Sequence, residues 1–127
     1  MSREELLALA SRCEQATVDQ QATLLLEAFD LTNWRSRRKG QLVENNPQWL
    51  RFDKMVRVEA FESAAMSLVP EVWVLTLTVW ESEAEARLED DRIHPVRLPS
   101  IVFEAASAAL AIASASLRAR AAMGEGL

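Results

Sequence analysis

His94 is the chain's only histidine, close behind Asp90 and Asp91. An imidazole beside a carboxylate can move a proton near neutral pH. No Ser or Cys stands at nucleophile spacing from it, and Pro95 and Pro99 place it in a loop, so it reads as a solvated loop histidine. One His, one thiol (Cys13) and scattered carboxylates supply neither a zinc pattern nor a twelve-residue calcium loop. Gly40, Gly124 and Gly126 are too dispersed to cradle a phosphate. The expectation is no catalytic residue, no metal ligand and no cofactor.

Charge clusters offer contact chemistry instead. Arg35, Arg37, Arg38 and Lys39 follow Trp34 directly, a pattern in which cations neutralise phosphates while an indole stacks on a base. A basic loop on an acidic protein equally suits an acidic protein partner. Glu81, Glu83, Glu85, Glu89, Asp90 and Asp91 form a carboxylate-rich stretch facing the opposite way chemically. It reads as the charged edge strand that discourages sheet-to-sheet aggregation, or as an acidic surface toward a basic partner. These are the first and second candidate interaction surfaces.

The chain that must position them has 127 residues, enough for one domain and too few for a second core. We read residues 1–127 as that domain, with an irregular basic loop around 32–46 and a frayed tail at 124–127. Half of the residues are hydrophobic, which predicts a folded core rather than a disordered tract. A net charge of −5 argues against general affinity for nucleic acid or anionic membrane. The single cysteine excludes an internal disulfide, and no apolar run is long enough to span a bilayer. A charged start, Arg3-Glu4-Glu5, is unlike a signal peptide, so a cytoplasmic location is expected.

Ser2 with Glu5 predicts a first helix carrying Leu6, Leu9, Ala10 and Cys13 on one stripe, and Thr17 with Gln20 predicts a second through Leu24, Leu25, Ala28 and Phe29. Trp49 to Phe52 and Met55 to Val58 alternate around Asp53-Lys54 as two small strands or an irregular ribbon would. Ala60 to Val69 is a short helix ended by Pro70. Val72 to Trp80 carries no charge on either face, so a strand covered on both sides is expected, with Trp73 and Trp80 in the core. Ala84, Ala86 and Leu88 alternate with charges in a strand pairing back onto it. Half of the chain's alanines fall between Ala105 and Ala122, in a last helix capped at Ser100 or Ser107 and packed closely inside the fold. Arg118 and Arg120 would then face its C-terminal carbonyls. The class is α+β, a small mostly antiparallel sheet sandwiched between helical layers.

Four stretches carry a resemblance: the first helix with Arg12-Cys13-Glu14, Ala64-Ala65-Met66-Ser67-Leu68-Val69-Pro70-Glu71, the tryptophan-bearing strand, and Ala109-Leu110-Ala111-Ile112 leading to Leu117-Arg118-Ala119-Arg120-Ala121-Ala122-Met123. Together they resemble the phage ABA sandwich domain family, small proteins of bacteriophages and prophages. Members carry Thr-Pro where this chain has Ser107-Ala108, and Gly where it has Val72. The resemblance implies the same layered architecture and a phage origin, and transfers no functional residues. The expected role is a non-enzymatic accessory protein acting on a host or phage protein, with a homodimer as one possibility. The alternatives are a nucleic-acid-associated module using Trp34 and the Arg35 to Lys39 loop, or an acidic inhibitor of a host defence protein.

Overall fold

The computed structural model describes residues 3–32, 47–70, 73–80, 83–90 and 101–123, with Asp90 and Ile101 described by their backbone alone. The basic loop from Asn33 on, the tail at 124–127 and the proposed cap Ser2 lie outside these residues.

Helix α1 (Arg3–Gln15) buries Leu6, Leu9, Ala10 and Cys13, the expected stripe, and its first turn carries Glu4 and Glu5, where the helix dipole favours anions. The chain turns at Val18–Gln20, where the Gln20 side chain accepts from the Thr17 N–H at 3.0 Å. Helix α2 (Gln21–Thr32) then buries Leu24, Leu25, Ala28 and Phe29.

The stretch expected to form a ribbon is instead helix α3 (Pro47–Arg57). Pro47 occupies its first position, where a missing N–H costs nothing, and Asp53 and Arg57 pair one turn apart at 2.6 Å. Helix decides over ribbon because Phe52 and Val56 fall on one face and are buried, Phe52 stacking on Phe29 at 4.5 Å between ring centroids. Glu59, at φ 60, closes α3 in the left-handed region, and the Ala60 N–H reaches back to the Met55 carbonyl at 2.8 Å. Helix α4 (Phe61–Met66) follows, with Ala64, Ala65 and Leu68 buried before Pro70.

Strands β1 (Trp73–Val79), β2 (Ala84–Asp90) and β3 (Ile101–Ala105) form one antiparallel sheet in the order β1-β2-β3. Leu75 stands opposite Leu88, Leu77 opposite Ala86, and Ala86 in turn opposite Phe103, so one face gathers the apolar residues of all three strands. Helix α5 (Ala108–Ala122) lies against that face. Its cap is Ser107, whose hydroxyl accepts from the Leu110 N–H at 3.2 Å, while the Ser100 side of the alternative gives way to β3.

The α+β class holds, with helices packed on an antiparallel sheet. Helix α5 is the centre of the molecule: Ala108 through Leu117 are all buried, and the sheet, α1, α2 and α4 surround it. A helix apolar on every side must be enclosed, and alanine lets several neighbours approach its backbone. One expectation fails at β1. Its second face, Val74, Thr76 and Thr78, is exposed rather than covered, and Trp80 is 48% exposed while Trp73 is buried. Among the described residues the helices pack on one face of the sheet only. None of the described helices is long and apolar enough to cross a membrane.

Candidate functional site

Trp34, Arg35, Arg37, Arg38 and Lys39, the first candidate surface, lie outside the described residues, as do His94, Glu81 and Asp91. Of the second surface, Glu83, Glu85 and Glu89 are placed, and Asp90 by its backbone. They do not form an edge. Strand β2 is the middle strand, because β3 pairs along its far side, so Glu85 and Glu89 stand on the open face of the sheet instead of its rim. Arg87 stands among them, 3.8 Å from Glu89, and Glu104 of β3 is directly opposite Glu85.

The most connected polar group joins α1 to α5. Arg118 reaches Glu14 through Nε at 2.6 Å and Nη2 at 2.8 Å, its Nη2 also meets the Ser11 hydroxyl at 3.3 Å, and Ser114 donates to the same carboxylate. The guanidinium lies 4.0 Å over the Phe103 ring. Arg118 therefore faces α1 and β3 rather than the end of its own helix. Arg120 likewise donates to the Leu68 carbonyl, at 3.1 and 2.8 Å. A carboxylate gripped by a two-pronged guanidinium and a hydroxyl ties one helix to another, so Glu14 fastens α1 to α5. Sequence reasoning missed this pair; Arg12-Cys13-Glu14 was visible, yet nothing local couples Glu14 to a residue on the last helix.

Cys13 is fully buried beside it. Burial, with the nearby Glu14 charge adding, pushes its thiol up to about 12, so it is protonated and inert at neutral pH. Ser116 is also fully buried on α5, and its hydroxyl has no hydrogen-bond partner among the described residues. Among the same residues no group of three or more His, Cys, Asp or Glu is placed to hold a metal ion. A cleft of about 380 Å³ runs past Gln21, Glu59, Glu62 and Ser107. Its central hydroxyl is occupied: Ser107 donates to Gln21 at 3.0 Å while capping α5.

What is left over is β1. Seven residues, Trp-Val-Leu-Thr-Leu-Thr-Val, form the sheet's outer strand with no charge among them. Val74 is 50% exposed, Val79 60% and Trp80 48%. An uncharged, β-branched edge is the feature that solitary folded proteins ordinarily blunt with lysine, proline or a bulge. Comparison of the chain with known protein families, curated proteins and solved structures finds no match.

Proposed function

We propose that this chain is a non-enzymatic protein–protein contact module that docks through the open face and free edge of its sheet. The observation that carries the reading is β1, an edge strand without charge that leaves Val74, Val79 and Trp80 in water. Aromatic and aliphatic groups left on a sheet edge gain most from a partner that removes them from solvent and pairs the backbone. Support for a non-enzymatic role comes from the interior, where Glu14, Arg118, Ser114 and Ser107 are engaged with one another and Cys13 is kept protonated. The resemblance to the phage ABA sandwich family adds the setting, an accessory protein of a phage or prophage meeting a host or phage protein.

A second reading, the acidic inhibitor, is favoured by one observation. Glu85 and Glu104 stand opposite each other, a like-charge pair that destabilises a sheet until a basic surface neutralises it. A photoreactive residue in place of Val74, Glu104 or, as control, the exposed Thr23 of α2 separates the readings in cells. Adducts from position 74 and none from 23 are expected. Adducts from position 104 without any from 74 would move the contact to the acidic face, and adducts from 23 alone would remove the sheet as the docking surface.

A further inference from the structure

The ladder between β1 and β2 has a readable phase. The Trp80 N–H donates to the Glu83 carbonyl at 2.8 Å, and these two residues continue the register in which Val79 faces Ala84. They are therefore a hydrogen-bonded pair, and bonded pairs alternate along an antiparallel ladder. Val74, Thr76 and Thr78 accordingly turn their backbone groups toward β2, whereas Trp73, Leu75, Leu77 and Val79 turn theirs away from it. Trp73 spends its N–H on the Pro70 carbonyl at 3.4 Å. The outward N–H groups of Leu75, Leu77 and Val79, and the outward carbonyls, have no strand beside them among the described residues.

We infer that β1 pairs antiparallel with β1 of a second copy of this chain, across a two-fold axis at Thr76, joining the two sheets into one. The inference rests on the reading of this sheet as a contact surface and names its partner. Three properties of the strand select a second copy. First, the phase fits: with Thr76 on the axis, Leu75 faces the partner's Leu77 as a bonded pair of outward-pointing backbone groups, and Trp73, its N–H spent on Pro70, offers its carbonyl to the partner's Val79.

Second, residue types mirror about Thr76. Leucine meets leucine, Val74 meets the β-branched partner residue Thr78 of the partner subunit, and threonine meets threonine, all favourable cross-strand pairs. The half-buried Leu75 and Leu77 gain an apolar neighbour, and the exposed Val79 gains an indole. Third, charge permits it. The chain carries −5 overall, which disfavours self-contact at most surfaces, yet this strand brings no charged side chain to the junction; Glu85 and Glu89 stay one strand behind it. An isologous contact needs a patch that complements itself, and β1 does.

Sedimentation equilibrium of the full chain tests this, with Thr76→Glu and Thr76→Lys alongside. Thr76 is exposed and faces Arg87 within its own sheet, so Thr76→Glu keeps a folded protomer, verified by unchanged circular dichroism. The wild type is expected to dimerise. Each variant places two like charges face to face on the axis and should raise the dissociation constant at least about tenfold, while an equimolar mixture of the two variants should return it to near the wild-type value. A wild type that stays monomeric at millimolar concentration overturns the self-pairing, and so does a dimer that ignores both substitutions. Cross-linking from position 74 keeps the two claims apart. Adducts of purified protein with the mass of two chains support self-pairing; adducts only with a different protein overturn it and leave the sheet as contact surface; none in either setting overturns both.

Discussion

The stretch of helix α5 from Ala108 to Leu117 and strand β1 both carry no charged residue, and they end up in opposite circumstances. Every residue of α5 from Ala108 to Leu117 is buried by the molecule's own elements, while β1 buries Trp73, half-buries Leu75 and Leu77, and leaves Val74 and Val79 in water. Apolar composition states that an element is to be covered and not by what. Alanine at the centre lets a sheet and three helices close in together. Valine, leucine and tryptophan on an outer strand supply area and a backbone edge that no strand pairs among the described residues, which suits a partner arriving from outside.

Five substitutions test how deep that contrast runs. Leu110, 0% exposed on α5, should tolerate least: Leu110→Asp buries a carboxylate without a partner, at several kcal/mol against a total of about 5–15, so loss of the cooperative melting transition is expected. Next is the fastening of α5 to α1. Arg118→Ala removes the two-pronged bond to Glu14 and should cost about 1–3 kcal/mol in urea unfolding. Glu14→Gln in the Arg118→Ala background should then add little, because the two side chains act as one interaction.

Cys13 tests the same interior through pH. Its folded value is about 12 against an ordinary 9.0, so the unfolded chain ionises first and the protein loses stability as pH rises from 9.0 toward 12. Cys13→Ala should cost about 1 kcal/mol at pH 7 and flatten that alkaline slope. A native thiol that labels at pH 7 faster than the helix opens would contradict its burial. At the other extreme, Thr78→Lys on β1 places an exposed cation opposite Glu85 and should shift stability by less than about 0.5 kcal/mol, while weakening any contact made through the strand.

Elements with a single unambiguous period were legible from residues alone. The stripe Leu6, Leu9, Ala10, Cys13 and the alternation Ala84, Ala86, Leu88 each fit one geometry, and the structure buries those residues. Helix α3 was not legible, because Trp49, Leu50, Phe52, Met55 and Val56 satisfy both periods about Asp53-Lys54; the stacking of Phe52 on Phe29, from another helix, settles it. The carboxylates were assigned to an edge because nothing local announces that Ile101–Ala105 pairs beyond them. Trp80 resembled a core residue for a related reason: its type records an aversion to water, and exposure depends on which layers arrive. The free edge itself follows from strand order and ladder phase, which are properties of three strands together.

Residue-resolved amide exchange measures that phase directly. At low concentration, Val74, Thr76 and Thr78, bonded to β2, should exchange slowly, and Leu75, Leu77 and Val79, pointing outward, should exchange fast. Raising the concentration should protect Leu75, Leu77 and Val79 and leave the other three unchanged. Outward amides that exchange equally fast at every concentration would contradict pairing between copies, and outward amides already protected in the dilute monomer would show that the edge is covered by the chain itself.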